Sequence, residues 1–417
     1  MTGSAEPGSP RVPLWAGRTM ALVGIVLVSL NLRTAATSLS PIVGAVSRDI
    51  PLDALGLAVL GMLPPIMFAL SGLVAPRVAR RLGLELSLIV SIVAMIAALS
   101  LRAVALEYWA LFGGTLIALI AAGAGNILLP PIVKRYFPDR IGLITSLYAT
   151  AVAAGTALPP AVAFPIADAA GWRTSLAVWA ILAMISLPPW IVALAQRRRS
   201  LRSVVEDSAP ELEEPAPGMV GRVWHSRTAW VIAIVFSLTS FQAYSLFAWL
   251  PKLLVEQVGT SELEAGLLLA FWGILGMGAS LVAPILATRL KNAGWILHVG
   301  AAGFVIGYLG LLLAPAVSPW LWVGFCGLGQ MVFPACLALI NLRTRSHDGS
   351  IALSGFAQGV GYSIASLGPL LVGLLHDITD GWAASLILMS ATAALFVYFG
   401  FVLRIPRFVE DETAGRR

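Results

Sequence analysis

Long apolar runs recur along the chain at 20–47, 55–75, 84–101, 109–133, 141–164, 174–195, 229–250, 263–287, 294–314, 320–340, 350–373 and 382–403. A helix needs about 20 such residues to cross a bilayer. The polar stretches between the runs are short, with the exception of 196–228. The pattern predicts an all-α polytopic membrane protein with twelve transmembrane helices. Pro64-Pro65, Pro130-Pro131, Pro159-Pro160 and Pro188-Pro189 fall inside runs and are expected to interrupt them. Such interruptions survive beside cavities, where neighbouring helices and water serve the freed backbone groups. The polar start of the chain ends at Arg18 and carries no small-residue cleavage site, so the first run reads as a retained helix.

Charge gives the orientation. Of 27 Lys and Arg, 22 lie on the loops that share a side with both termini, and four (Arg48, Arg102, Arg173 and Lys252) lie on the other side. Positive residues stay cytoplasmic, so both termini and the long connection at 196–228 are expected in the cytoplasm. The same asymmetry explains the net charge of +6 without a nucleic-acid partner, and the basic caps lack the interleaved aromatics that bind single strands. Hydrophobic residues make up 58% of the chain and charged residues 12%, roughly half the charged fraction of a soluble domain. Cys326 and Cys336 share one apolar run, and His225, His298, His347 and His376 are scattered. No disulfide framework, metal site or cofactor is expected. No phosphate-cradling GxxxxGK[ST] loop or Gly-x-Ser-x-Gly elbow occurs, so neither an ATP-driven pump nor an enzyme is indicated.

The long connection opens with Arg197-Arg198-Arg199 and passes through an acidic, proline-rich patch from Glu206 to Pro217, the composition of a linker. It divides the chain into a six-helix half at 1–195, a linker at 196–228, a second six-helix half at 229–403 and a tail at 404–417. The halves are repeats. Residues 71–82 (SGLVAPRVARRL) and 279–290 (ASLVAPILATRL) agree at seven of twelve positions. Gly125-Asn126 with Pro130 corresponds to Gly329-Gln330 with Pro334, and Ser146, Tyr148 and Ala149 correspond to Ser354, Phe356 and Ala357. Gly171-Trp172 with Ser175-Leu176 corresponds to Gly381-Trp382 with Ser385-Leu386. Six helices per repeat give both halves the same orientation, about an axis along the membrane normal, with a solute site near the midplane between them.

These residues resemble the major facilitator superfamily and, within it, the cyanate and 2-nitroimidazole transporter family. The superfamily signature between the second and third helices stands as Gly72 to Gly83 (GLVAPRVARRLG), with Pro76 where most members carry Asp. The family resemblance rests on Asn31-Leu32-Arg33, on GNILLPPIVKRYFP at 125–138, on FQAYSLFAWLP at 241–251 and on Gly171-Trp172-Arg173. It implies two pseudo-symmetric halves working by alternating access, a bacterial inner-membrane location, and a gating role for Gly72, Arg77, Arg80, Arg81 and Gly83. It implies cyanate or a nitroimidazole-like heterocycle as solute.

Among polar groups inside the runs, Arg33 is the most informative. It lies about 20 Å into the first helix at 1.5 Å per residue, where a central Arg costs about 2.5–3.5 kcal/mol. No Asp or Glu falls in the middle of any run. A guanidinium offers a planar fork of donors suited to a small anion, so Arg33 is the candidate anion-binding centre. On a continuous helix Thr37 and Ser40 share its face, while Asn31, Thr34 and Ser38 face away, which gives Asn31 a hydrogen bond to a neighbouring helix. In the seventh run Gln242, Ser245 and Trp249 form a polar-aromatic stripe, with Tyr244 and Ser240 pointing elsewhere. In the eleventh, Ser354, Gln358, Tyr362 and Ser366 repeat every four residues, a stripe that must face protein or water. The candidate solute-binding set is Arg33, Thr37, Asn126, Tyr148, Gln242, Tyr244, Trp249, Gln330, Gln358 and Tyr362.

The leading expectation is a secondary transporter of a small anionic or polar organic solute, acting in the lipid bilayer as a monomer. A proton-driven multidrug or metabolite exporter is the first alternative. The fifth run offers only Ala154-Gly155 and Pro159-Pro160 against the Gly-x-x-x-Gly-Pro-x-x-Gly-Gly motif that such members carry. A non-transporting membrane sensor is the alternative from another class.

Overall fold

The computed structural model describes residues 18–137, 140–201, 223–290 and 292–413. Both ends of the chain and the greater part of the expected linker, 202–222, lie outside the described residues. Twelve helices long and apolar enough to cross a membrane are present among those described. The first span is α1 (Thr19–Asn31) with α2 (Thr34–Thr37), followed by a 3-10 turn at Ser40–Ile42 and α3 (Val43–Asp49). Spans two to six are α4 (Ala54–Leu82), α5 (Leu84–Ala103), α6 (Tyr108–Tyr136), α7 (Ile141–Ala170) and α8 (Trp172–Leu201). Spans seven to nine are α9 (Arg227–Leu253), α10 (Glu262–Arg289) and α11 (Gly294–Leu313). The tenth is split into α12 (Pro319–Gly329) and α13 (Val332–Leu342), and the eleventh into α14 (His347–Ala365) and α15 (Leu367–Thr379). The twelfth is α16 (Ala383–Val402), and a short α17 (Val409–Thr413) follows it.

Proline acts differently from the expectation. The paired prolines do not interrupt their helices: α4 runs through Pro64-Pro65 and Pro76, α6 through Pro130-Pro131, α7 through Pro159-Pro160 and α8 through Pro188-Pro189. Three breaks lie instead four residues before a single proline, although Pro76, Pro165, Pro251 and Pro284 are single prolines inside unbroken helices. A proline has no N–H for the carbonyl four positions earlier. Pro41 thus fails Thr37, where α2 ends; Pro334 fails Gln330, just past α12; and Pro369 fails Ala365, where α14 ends. In the paired cases the lost bonds are absorbed without ending the helix, as membrane helices allow when packed on neighbours.

The two halves repeat each other down to single hydrogen bonds. Spans three and four pack together, as do nine and ten; three packs on six as nine does on twelve. At the start of the sixth span Trp172 Nε1 donates to Asp49 Oδ2 at 2.9 Å; at the start of the twelfth Trp382 Nε1 donates to Glu256 Oε2 at 2.9 Å. Ser175 Oγ donates to the Ala163 carbonyl and Ser385 Oγ to the Val372 carbonyl, both at 2.8 Å. The halves meet through span two against eleven and span five against eight, pairs that the repeat exchanges. Apolar side chains such as Val90, Val93, Ile181, Ile185, Leu281 and Ile285 remain exposed on the outer faces, where lipid would cover them.

The two ends of this interface differ. At the end away from the termini, Gly61 lies against Ala248 and Pro369, and Gly373 against Ala58 and Trp249, so closely that a Cβ on either glycine would collide. Toward the termini, a Cβ on Gly72, Gly355 or Gly359 would meet nothing within 4 Å. There a cleft of about 630 Å³ separates α4 from α13 and α14. The interface is closed at one end and open at the end that bears the termini.

The last helix clasps the second half. Glu412 accepts from Ser226 Oγ (2.7 Å), Thr228 N (2.9 Å) and Thr228 Oγ1 (2.7 Å), capping α9. Glu410 accepts from the backbone N–H groups of Arg345 (3.0 Å) and Ser346 (3.1 Å), capping α14. A carboxylate on orphan N–H groups at a helix start is stabilising. Burial pushes the Glu412 carboxyl upward, but its bonds from Thr228 and Ser226 outweigh that and hold it below the ordinary value of 4.5. A depressed pKa places the stabilisation above the unfolded value and removes it as pH falls. Glu412→Ala is expected to cost about 1 kcal/mol at pH 7, seen as a lower melting temperature in detergent. The gap between variant and wild type should close as pH falls below 4.5.

Candidate functional site

Arg33 sits where the first span breaks. Residues 32–33 separate α1 from α2, so the side chain leaves from irregular backbone and not from a helix face. The sequence explains the break locally. Hydroxyls within one turn compete for backbone partners: Thr34 Oγ1 donates to the Asn31 carbonyl (3.0 Å), and Thr37 Oγ1 to the Arg33 carbonyl (3.1 Å). Thr37 is therefore fully buried and supports the Arg33 backbone; it does not line the central cavity. Asn31 bonds back to Leu27 in its own helix at 3.2 Å, not to a neighbouring one.

Arg102 holds the break from outside. The loop position expected for it is in fact the last turn of α5, with the side chain fully buried. Its Nη1 donates to the Ala35 carbonyl at 3.2 Å, while Nε and Nη2 have no partner. Ala35 lies in α2, a single turn whose last carbonyls have no intrahelical donor. Arg102 supplies one. In a low-dielectric interior an unserved carbonyl costs several kcal/mol, which accounts for keeping a charged side chain there.

The Arg33 guanidinium is half-buried and stacks over the Phe68 ring at 4.9 Å. The hydroxyls of Tyr244 and Tyr362 interact with it electrostatically and with each other, and their rings stand 6.1 Å apart. None of the ion pairs among the described residues includes Arg33. It opens into a central cavity of about 350 Å³ between the halves, a size suited to a small molecule.

Of the residues expected at the site, the structure brings Arg33, Asn126, Tyr148, Tyr244 and Gln330 together around this cavity. Asn126 and Gln330, equivalent in the repeat, line it from opposite halves. Gln330 stands in the break between α12 and α13, its Nε2 donating to the Trp272 carbonyl at 2.5 Å over the bare backbone of Gly276. Gln358 and Tyr362 line the adjoining cleft, with Ser354 donated to by Gln358 at 2.8 Å. Besides Thr37, two residues are elsewhere. Gln242 is buried among α11 and α16: its Nε2 donates to the Met389 carbonyl (3.1 Å) and Thr392 Oγ1 (3.0 Å), and its Oε1 accepts from Tyr308 (2.9 Å). Trp249 donates to the Pro369 carbonyl at 2.8 Å near the closed end. The stripe taken from α9 is thus the face turned into its own half.

The opposite face of α9, Ser240, Tyr244 and Phe247, lines the cavity and repeats at helical spacing, a signal present in the sequence. Trp272, Thr156 and Ser280 also line it and were not anticipated. Ser240 Oγ and Trp272 Nε1 are buried among these lining residues without a partner. Phe304, Phe333 and Met277 supply an apolar side. The arrangement joins a guanidinium, two phenols and two amides to an aromatic wall.

The residues expected to act as a gate occupy the end of α4 and its turn. Gly72 lines the cleft, Arg77 and Arg81 are exposed, and Gly83 turns into α5 at φ +81°; the Arg80 side chain lies outside the described residues. Beside them Arg135 forms a two-oxygen bond to Glu85 at 3.1 and 3.2 Å.

If Arg102 aims Arg33 through Ala35, R102M should change the rate at which a charged thiol reagent modifies the cysteine introduced by R33C, several-fold. R102K should keep the parent rate. Cys326 and Cys336 are 1% and 0% exposed, so their background labelling should be low.

The family description "Major Facilitator Superfamily" matches residues 21–366. The 2-nitroimidazole transporter of Escherichia coli (strain K12) is 29% identical over 385 residues, covering 92% of this chain and 95% of the relative. The cyanate transport protein CynX of the same organism is 28% identical over 371 residues, covering 87% and 91%. The crystal structure of a bacterial homologue of the human lysosomal transporter Spinster, inward-facing and unoccupied, superposes with a TM-score of 0.72 at 14% identity, covering 98% of this chain and 99% of that one.

Proposed function

Since this chain belongs to the major facilitator superfamily, we propose that the solute it transports is a small organic anion, held by Arg33 in the central cavity and carried by alternating access. The observation that carries this reading is the Arg33 guanidinium itself: it faces a cavity between the halves and forms no ion pair with a described carboxylate. A half-buried cation without a counter-ion calls for an anionic guest, and its planar fork favours a trigonal group such as a carboxylate or nitro group. Tyr244, Asn126, Tyr148 and Gln330 would complete its hydrogen bonds. The aromatic wall of Trp272, Phe304 and Phe333 favours a ring attached to that group. Relatives named for cyanate and 2-nitroimidazole transport are consistent with a small planar solute.

Basic residues concentrate at the end bearing the termini, which supports a cytoplasmic side there and makes the open cleft an inward-facing one. The residues lining the central cavity include no Asp, Glu or His, so the proton relay that a proton-driven exporter employs has no support at this site.

The test is uptake into proteoliposomes of labelled small carboxylates, cyanate and neutral heterocycles. Saturable uptake of an anion is expected in the wild type, with R33Q lowering kcat/KM by about thirtyfold or more, the effect of leaving an ion pair without one partner. R33K should recover only part of it, because an ammonium lacks the fork. Equal uptake by wild type and R33Q, or uptake confined to neutral compounds, would overturn the reading.

A further inference from the structure

A second cavity, of about 160 Å³, opens at the end of the bundle bearing the termini, among the start of α9, the end of α13, the end of α16 and α17. Arg227, Arg343 and Arg407 line it, with Glu412 as the single acid. The nearby carboxylates are committed elsewhere. Glu412 caps α9 through Ser226 and Thr228, Glu410 caps α14, and Asp411 pairs with Arg345 at 2.9 Å. Arg407 acts on Glu412 from a distance, and none of the ion pairs among the described residues includes Arg227, Arg343 or Arg407.

Arg343 is the deepest of the three, 7% exposed. Its Nη2 donates to the Leu403 carbonyl at 2.7 Å, but its Nε is buried without a partner. Burial pulls its pKa below the ordinary 12.5, the mark of a cation held without its counter-ion. Three guanidiniums against one carboxylate leave a surplus of positive charge, and guanidinium forks match phosphate oxygens. The rim of the same cavity is apolar: Phe401 is 61% exposed and Ile405 60%. Phe401 lies in the last turn of the twelfth span and Ile405 three residues beyond it, so a bilayer that covers the span would bring its headgroup region to this rim.

We propose that this cavity binds the phosphate of an anionic phospholipid, with Arg227, Arg343 and Arg407 on the headgroup and the acyl chains running over Phe401 and Ile405. The apolar rim is what selects a lipid over free phosphate. The surplus charge selects an anionic lipid over a zwitterionic one, whose ammonium would sit among arginines.

The test uses the full-length protein in detergent, titrated separately with phosphatidylglycerol, phosphatidylcholine and inorganic phosphate. Retained lipid is read by native mass spectrometry and the melting temperature by thermal unfolding. The variant is R227Q/R407Q, which leaves the Arg343 bond to Leu403 in place. Phosphatidylglycerol is expected to remain bound and raise the melting temperature. The double variant should weaken that binding about twentyfold, near fivefold per arginine, and neither phosphatidylcholine nor phosphate should reproduce the shift. Equal retention of phosphatidylglycerol by wild type and variant would overturn the site. Phosphate acting as strongly as phosphatidylglycerol would make it a free-anion site and overturn the lipid assignment, and equal binding of phosphatidylcholine would overturn the selectivity. Neither readout depends on transport through Arg33.

Discussion

An unpaired guanidinium at a gap in a membrane helix is the constraint on which the rest of the site depends. Backbone polar groups inside a bilayer must find partners within the protein, so a break in the first span can persist only where other groups serve it. Thr34 and Thr37 serve two of its carbonyls from within, and Arg102 serves a third from α5. The break frees Arg33 from the direction a helix would impose and lets its guanidinium lie over Phe68 beside Tyr244 and Tyr362. Two arginines are thus linked through three residues of backbone, one fixed and satisfied in part by a carbonyl, the other exposed to the cavity.

The repeat supplies the frame and its departures supply the chemistry. Trp172 and Trp382, or Ser175 and Ser385, make the same bonds in their respective halves, so packing within each half follows one plan. The breaks do not. The first half is interrupted only in its first span, at Arg33 and again before Pro41, whereas the second is interrupted in its tenth and eleventh spans, each time four residues before a single proline. Asn126 lies on an unbroken helix, and its repeat partner Gln330 stands in a gap. A pseudo-symmetric scaffold therefore encloses an asymmetric cavity, with the cation from one half and most of the aromatic wall from the other.

The spans were legible because hydropathy over about 20 residues integrates many side chains, and an error at one position changes little. Arg33 was legible because a charge inside such a run has few bland explanations. Helical wheels were less dependable. For residues 31–40 the wheel assumed a helix that the structure interrupts, so Thr37 was grouped with Arg33 as a solute contact when it instead bonds the Arg33 carbonyl. For α9 the wheel separated two faces correctly and could not say which one turned inward. That choice was made by Tyr308, Met389 and Thr392, three residues on α11 and α16 that satisfy Gln242. Arg102 sat one residue past the expected end of its span, and only long-range packing shows that it is buried.

The contrast between the ends of the interface gives Arg33 its electrostatic setting. Where Gly61 meets Ala248 and Pro369 the halves touch without room for a methyl group, while the glycines of the opposite cleft face open space. In the open arrangement water can reach the central cavity and solvate the guanidinium. Any arrangement that closes the cleft removes that water. Removing water from an uncompensated cation is costly, and the cost falls when an opposite charge is bound beside it. On the proposed reading, the anion therefore does more than occupy the cavity: it supplies the counter-charge that the protein withholds. The lack, among the described residues, of an Asp or Glu beside Arg33 then has a physical consequence, because a built-in carboxylate would make closure as easy for the empty carrier as for the loaded one.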